Sequence, residues 1–303
     1  MNCTNESGLI YIDRRSIFIR LAAVTAAVML FACGCKKDPA GQQADAGPVT
    51  GLNVFFFETK DDSDATLITS PGANIMIDTG LYLEAPKLMD SLAEKHVEHL
   101  DMLVLTHPDK DHIGGAQSVL NGLKVDMLIM SRATKNSEEQ ALLSSAMDRE
   151  GLEVDIPTET ETFEYGDLKL TVYPAWQDDY DKTNDYSVAV LAEYAGRKFF
   201  FPGDAEKERV TELLGEYDIG DVDVYKLPHH GRDGKKADKL LERLKPEYCV
   251  VTAAAPGKKT ADKLSELGCE VYSTFDGEIR FTVDPETGDI KIENRSETDG
   301  GIK

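Results

Sequence analysis

Short apolar runs separated by turn residues set out the plan of this chain. Residues 52–58 (LNVFFFE), 65–70 (ATLITS) and 74–78 (NIMID) are rich in β-branched and aromatic side chains and are punctuated by Asp61-Asp62-Ser63 and Pro71-Gly72. That pattern predicts a meander of strands. From Leu81 to about Val97 the apolar spacing becomes helical, with Leu88, Leu92 and Val97 on one face. A strand at 102–106, a helix at 115–123, a strand at 125–130 and a helix at 137–151 come next. The second half reads as strands near 161–173, 186–194 and 198–202, then strand–helix units through Tyr272. No short-period repeat interrupts this order.

The first fifty residues have a different character. Arg14, Arg15 and Arg20 precede the apolar run Leu21–Ala32, which leads into LFAC at Cys33. A run of that length is short for a membrane span, and a small residue before a cysteine suits signal cleavage with lipid carried on the thiol. The expectation is a lipoprotein signal over 1–32 with Cys33 lipidated. Cys35, preceded by Gly34, is the alternative anchor, and the arginine pair also suits twin-arginine export. Either route leaves the protein outside the cytoplasm, tethered to the cell membrane by lipid alone. Residues 33–50, rich in Ala, Gly, Gln, Pro and Asp, read as a flexible tether. One domain is expected over 51–293, about 250 residues being enough for one large two-layer core, with a disordered tail over 294–303.

The formal charge is −22. The leader holds three arginines against Glu6 and Asp13, so residues 33–303 are more acidic still. Nucleic-acid binders usually present a basic face. The balance therefore argues against a processive nuclease and toward a small-molecule or phosphodiester substrate. Lys235, Lys236, Lys258 and Lys259 either make a cleft locally positive or form a solvated helix face.

Candidate chemistry is concentrated in three places. LVLTHPDKDHIGG, residues 103–115, runs an apolar strand into His107, Asp109, Asp111 and His112, framed by Pro108 and Gly114-Gly115. FFFPGDAE ends a strand at Asp204, and YKLPHHG ends another at His229 and His230. Three strands that deliver His and Asp at their carboxyl ends read as a divalent-metal site. In an extended loop, residues two apart point the same way, so His107 with Asp109 would face one ion and Asp111 with His112 a second. Asp204 would bridge the two, or cap the helix after it. His96 and His99 read as surface residues.

These motifs resemble those of the metallo-β-lactamase superfamily, and most closely its ComEC-like branch, the soluble domain of DNA-uptake proteins and stand-alone relatives. That branch carries SHPDxDHIGG, LLTGD and PHHG in this order, and a tail similar to LSELGCEVYSTFDGEIRF at 264–281. The resemblance covers roughly residues 51–285. It implies a single α/β (α+β) domain, a four-layer αββα sandwich, and a hydrolase that uses one or two divalent ions, Zn or Mn. It implies His107, Asp109, Asp111, His112, Asp204 and His230 as ligands, with His229 and His230 interchangeable. Asp109, Asp111 and His229 would move protons in catalysis, and Asp78, Asn184, Asp185, Ser187 and Arg232 would support the ligands or face substrate.

Four departures bear on specificity. Asp109 stands where the superfamily has a second histidine, as in the ComEC-like branch, and no histidine lies between His112 and His229. AAAPGKKT at 253–260 and Arg232 replace a histidine and a serine frequent in that branch. The expected activity is phosphodiester hydrolysis by metal-activated water. The alternatives are ester, lactone or β-lactam hydrolysis, or a noncatalytic surface-binding protein. Cys249 and Cys269 are expected as separate, reduced, buried thiols away from the metal cleft.

Overall fold

The computed structural model describes residues 50–148 and 152–295. The expected signal, the expected lipidation site Cys33 and nearly all of the expected tether lie outside the described residues.

The opening meander forms as read: β1 (Leu52–Phe56), β2 (Ala65–Ser70) and β3 (Ala73–Thr79) are antiparallel neighbours. A 3-10 turn then gives way to α1 (Ala85–Glu94), which starts later than the apolar spacing alone suggests because Pro86 belongs in a first turn. Leu88, Leu92 and Val97 are buried as expected. Then come β4 (His99–Leu105), a four-residue helix α2 (Lys110–Ile113), α3 (Ala116–Gly122), β5 (Lys124–Met130), α4 (Glu138–Met147) and β6 (Glu153–Asp155). The Ser137 hydroxyl caps α4 by accepting from the Gln140 amide at 3.2 Å.

The single strand expected over 161–173 is a hairpin, β7 (Glu161–Tyr165) and β8 (Leu168–Tyr173), turning at Gly166 with φ +61°. β9 (Ala189–Tyr194) begins three residues late because 183–186 form a 3-10 turn. β10 (Arg197–Phe201), α5 (Lys207–Gly215), β11 (Val224–Lys226), α6 (Ala237–Leu244), β12 (Tyr248–Val251), α7 (Lys258–Leu267) and β13 (Glu270–Ser273) make the expected strand–helix units. Two strands lie beyond them, β14 (Glu278–Val283) and β15 (Ile290–Arg295), the last running two residues past the expected domain end.

Two mixed sheets result, ordered β15-β14-β1-β2-β3-β4-β5-β6 and β13-β12-β11-β10-β9-β8-β7. Phe56, Ile75, Val104, Phe199, Phe201 and Phe281 fill the space between them. Leu88, Leu92, Val119 and Leu143 pack the first sheet's outer face under α1, α3 and α4. Val210, Leu213, Leu240, Leu244 and Leu264 pack the second sheet's outer face under α5, α6 and α7. Apolar side chains on both faces of each sheet require a layer on either side, which is the four-layer αββα sandwich.

The expectation of two separate buried thiols is corrected. Cys249 is buried in β12, but Cys269 is half-buried just ahead of β13, and the two sulfurs lie 2.9 Å apart. Pairing of Cys249 with Val271 on the neighbouring parallel strand brings the preceding loop alongside.

Candidate metal centre

Strand exits build this centre. β3 and β4 run parallel, and Asp78, near the end of β3, takes φ +56°. Its carboxylate accepts from the Thr106 amide at 2.8 Å, the Thr106 hydroxyl at 2.7 Å and His112 Nδ1 at 2.8 Å. One side chain thus fixes both the exit of β4 and the histidine six residues on. Close approach of α2 to the β3 exit explains Gly114-Gly115: a Cβ on Gly114 would stand 2.3 Å from the Tyr82 nitrogen, and one on Gly115 2.4 Å from the Thr79 oxygen. Asp111 and His112 accordingly sit on a helical turn rather than in an extended loop.

Asp204 is reached from β10 through Gly203, whose φ is +61°. Its amide donates to Ser187 Oγ at 3.0 Å. His229 and His230 come after β11, both with left-handed backbone. His230 Nδ1 lies 3.0 Å from Thr252 Oγ1 and 3.4 Å from Asp64 Oδ1, which turns Nε2 toward Asp111 Oδ2 at 3.1 Å and Asp204 Oδ2 at 3.3 Å. His112 Nε2 lies 3.2 Å from Asp204 Oδ1 and 3.9 Å from Asp111 Oδ2. Asp111, His112, Asp204 and His230 offer ligand atoms all within 4.8 Å of one another.

The donor chemistry fits a divalent cation. His112 Nε2 and Asp204 Oδ1 are buried 3.2 Å apart with no well-aligned hydrogen bond to any group, and the other ring nitrogen of both His112 and His230 is held by a polar group. Burial alone would discharge these groups, yet neighbours override it. His112 is pushed well above the usual histidine range by Asp204, Asp78 and Asp64, and His230 up to about 12 by Asp204 and Asp64. Asp204 is pulled well below the usual carboxylate range by His112 and His230. Two imidazoliums facing carboxylates reproduce the charge balance that a cation and neutral imidazoles would give. Burial and the charge on His112 drive His107 down to about 3, leaving a neutral ring whose Nε2 has no partner.

Comparison with known proteins identifies the family and the fold. The metallo-beta-lactamase superfamily description matches residues 59–253. The chain belongs to the metallo-beta-lactamase superfamily. Its coarse class is therefore a hydrolase of that fold. The chain is 28% identical over 212 residues to ComE operon protein 3 of Bacillus subtilis, covering 68% of this chain and 27% of that protein. It is 23% identical over 196 residues to Recombination protein 2 of Haemophilus influenzae, covering 62% of this chain and 23% of that one. It thus spans about a quarter of those relatives' length. The metallo-beta-lactamase fold protein YhfI of Bacillus subtilis has the same fold, with TM-score 0.52 at 9% identity over 80% of this chain and all of that one. So does CmlA beta-hydroxylase, TM-score 0.53 at 12% identity over 77% and 54%.

Other expected site residues are placed less uniformly. The His107 ring lies 4.1 Å from that of His112, outside the group of four, and Asp109 turns to Lys135 at 3.0 Å. Asp185, expected to support the ligands or face substrate, caps α5: its Oδ1 accepts from the Glu206 and Arg209 amides at 3.0 Å each. Asp204 is thereby relieved of capping α5. Asn184 reaches Glu206 Oε1 at 3.3 Å, and Ser187 Oγ donates to the Asn184 carbonyl at 2.7 Å. His229 is half-buried on the rim, 3.1 Å from Arg232 Nη1, while Arg232 Nη2 reaches Asp62 at 3.0 Å. His96 is exposed, and His99 pairs with Asp126 at 2.8 Å, a partner that spacing did not suggest. Lys236 reaches Thr211 and Lys258 pairs with Asp262, as on a solvated surface.

Two members escaped sequence reading. Asp64, 4% exposed, contacts His112 at 3.7 Å and the ammonium of Lys226, also 4% exposed. Lys226 further lies 3.6 Å from Asp204 and donates to the Gly203 carbonyl at 3.2 Å. Burial alone would lower the Lys226 pKa and raise that of Asp64. Asp64 and Asp204 instead push the lysine above its ordinary value, and Lys226 with the histidines holds Asp64 well below its own. A lysine set inside the apolar segment VDVYKL, residues 222–227, was the available signal.

Proposed function

We propose that the protein is a metal-dependent phosphodiesterase, anchored outside the cytoplasm by lipid on Cys33, that keeps one divalent ion on Asp111, His112, Asp204 and His230. The convergence of those four side chains, with Asp78 and Thr252 behind the two imidazoles, is the observation that carries this reading. Two nitrogens and two carboxylates suit zinc and also admit manganese. A second ion would have only His107, Asp109 and a shared Asp204, and Asp109 is engaged by Lys135. A divalent ion at this centre supplies positive charge that polarises a phosphoryl group and acidifies water.

The chain's own residues do the rest. Asp78 and Thr252 fix the ligand rings, and Lys226 neutralises Asp64 beneath them. Asp111 is the least buried of the four ligands, so it faces the side from which a diester arrives. Burial holds His229 below the usual histidine range, so near neutrality the ring is neutral, and Nε2, which accepts from Arg232 Nη1 at 3.1 Å, is the nitrogen able to take a proton on the substrate side. The net charge of −22 favours small diesters over long nucleic acid.

Elemental analysis of purified protein, followed by a panel of a chromogenic phosphodiester, a lactone and a β-lactam with added zinc or manganese, tests the reading. Diester turnover that disappears in folded Asp111→Ala and Asp204→Ala proteins is the expected result. Tight metal binding with no turnover of any substrate would favour a noncatalytic binding role, and lactone or β-lactam turnover alone would move the substrate class.

A further inference from the structure

Among the described residues, Arg197, Arg209, Arg232, Arg243, Arg280 and Arg295 each end on a carboxylate. Arg132 does not. The residue is half-buried; its Nε and Nη2 are closed off from solvent and meet no hydrogen-bond acceptor, and its guanidinium carbon lies 5.7 Å from the centre of the Tyr186 ring. In a chain with 55 acidic and 33 basic residues, carboxylates are plentiful, so the missing acceptor is a property of this position. Dehydrated guanidinium donors without an acceptor are costly, and such groups find a partner in a ligand where the protein supplies none.

Segments on either side of the Arg132–Tyr186 contact connect to the metal centre. It lies just past β5, and the neighbouring Ser131 donates its amide to the Leu105 carbonyl at 3.3 Å, two residues along the chain from His107. Lys135, on the same loop, holds Asp109 at 3.0 Å. On the other side, Tyr186 precedes Ser187, whose hydroxyl accepts from the Asp204 amide, and Val188, whose amide donates to the Thr106 carbonyl at 2.9 Å. The aromatic face orients the guanidinium plane, and a planar fork matches two oxygens of one anion.

We propose that Arg132 anchors an anionic, oxygen-rich group of the substrate, a phosphoryl or carboxylate group held beside the metal centre. This rests on the hydrolase reading of that centre and assigns the residue that holds the substrate's negative charge. Charge-assisted bonds of this kind correspond to about 10-fold or more in affinity.

The test is equilibrium titration of the full chain, metal-free and metal-loaded, with phenylphosphonate and separately with benzoate, on wild type, Arg132→Met and Arg132→Lys. The proposal expects an affinity loss of about 10-fold or more in Arg132→Met, partial retention in Arg132→Lys and unchanged metal content. Whichever probe shows the larger loss identifies the anion class. In kinetics, KM for an anionic diester should rise while KM for a neutral ester stays constant. Probe affinity in Arg132→Met within about two-fold of wild type, or a loss that merely tracks lost metal, overturns the proposal. A protein that takes up no metal would sink the hydrolase reading instead, and the metal-free titration would still decide the role of Arg132.

Discussion

Metal uptake should be steeply pH-dependent, because the ion must displace protons that the metal-free centre holds tightly. Burial opposes charge on both ligating histidines. Asp204, Asp78 and Asp64 nevertheless raise His112 well above its ordinary value, and Asp204 with Asp64 takes His230 up to about 12. Both rings are therefore protonated near neutral pH, whereas a cation needs both Nε2 lone pairs. His107, held down at about 3, and Asp204, held well below the carboxylate range, have no proton to give near neutrality. Each displaced proton changes apparent affinity about tenfold per pH unit, roughly 1.4 kcal/mol, so two give up to about 100-fold per unit. Affinity rises with pH. Stability obeys the same signs. The raised histidines stabilise the metal-free chain fully below their unfolded pKa of about 6.5, and that contribution fades as pH climbs toward the folded values. The depressed Asp204 and Asp64 contribute above about 3.9, and their contribution is lost as pH falls. The shift in melting temperature on adding zinc should consequently grow from about pH 6 to about pH 8. Calorimetric titration in buffers of different ionisation enthalpy counts the protons directly. Release of fewer than about half a proton per ion, or an affinity flat in pH, would refute the reasoning.

Asp78→Asn keeps a residue that tolerates φ +56° but loses the carboxylate behind His112, so metal affinity should fall about 10- to 100-fold with the fold intact by circular dichroism. Unchanged affinity would leave Asp78 a turn residue only. Gly114→Ala drives a Cβ to 2.3 Å from the Tyr82 nitrogen, and urea unfolding should show a loss of about 1–3 kcal/mol, against less than about 0.5 if α2 can shift freely. Oxidised glutathione should join Cys249 to Cys269, whose sulfurs are 2.9 Å apart, releasing two reduced glutathiones and lowering the protein mass by two hydrogens. Closing this loop should add about 3 kcal/mol of stability. Both thiols remaining alkylatable after treatment would count against the contact.

Chemistry carried by one continuous stretch was legible in the sequence. Strand-to-loop transitions in LVLTHPDKDHIGG, FFFPGDAE and YKLPHHG put His112, Asp111, Asp204 and the His229-His230 pair at strand ends, and the fold does bring strand ends together. Every choice made by distant neighbours needed the structure. His230 faces the other ligands because Thr252, just past β12, lies behind it. Asp185 caps α5 because the 183–186 turn packs against that helix, a contact no local spacing encodes. Asp64 sits in a DDSD turn that reads as mere punctuation, and its partner Lys226 comes from the opposite sheet. Strands β14 and β15 come after a Gly277 turn, and β14 takes its place only by pairing with β1 at the other end of the domain.

Anomalous diffraction from crystals grown with zinc tests the central claim most directly. The expected result is one strong peak bounded by Asp111, His112, Asp204 and His230 at roughly 2.0–2.3 Å from each ligand atom, absent in Asp204→Ala crystals. A peak elsewhere, for example at the partly exposed His99–Asp101–Asp126 group, with none among these four side chains, would contradict it.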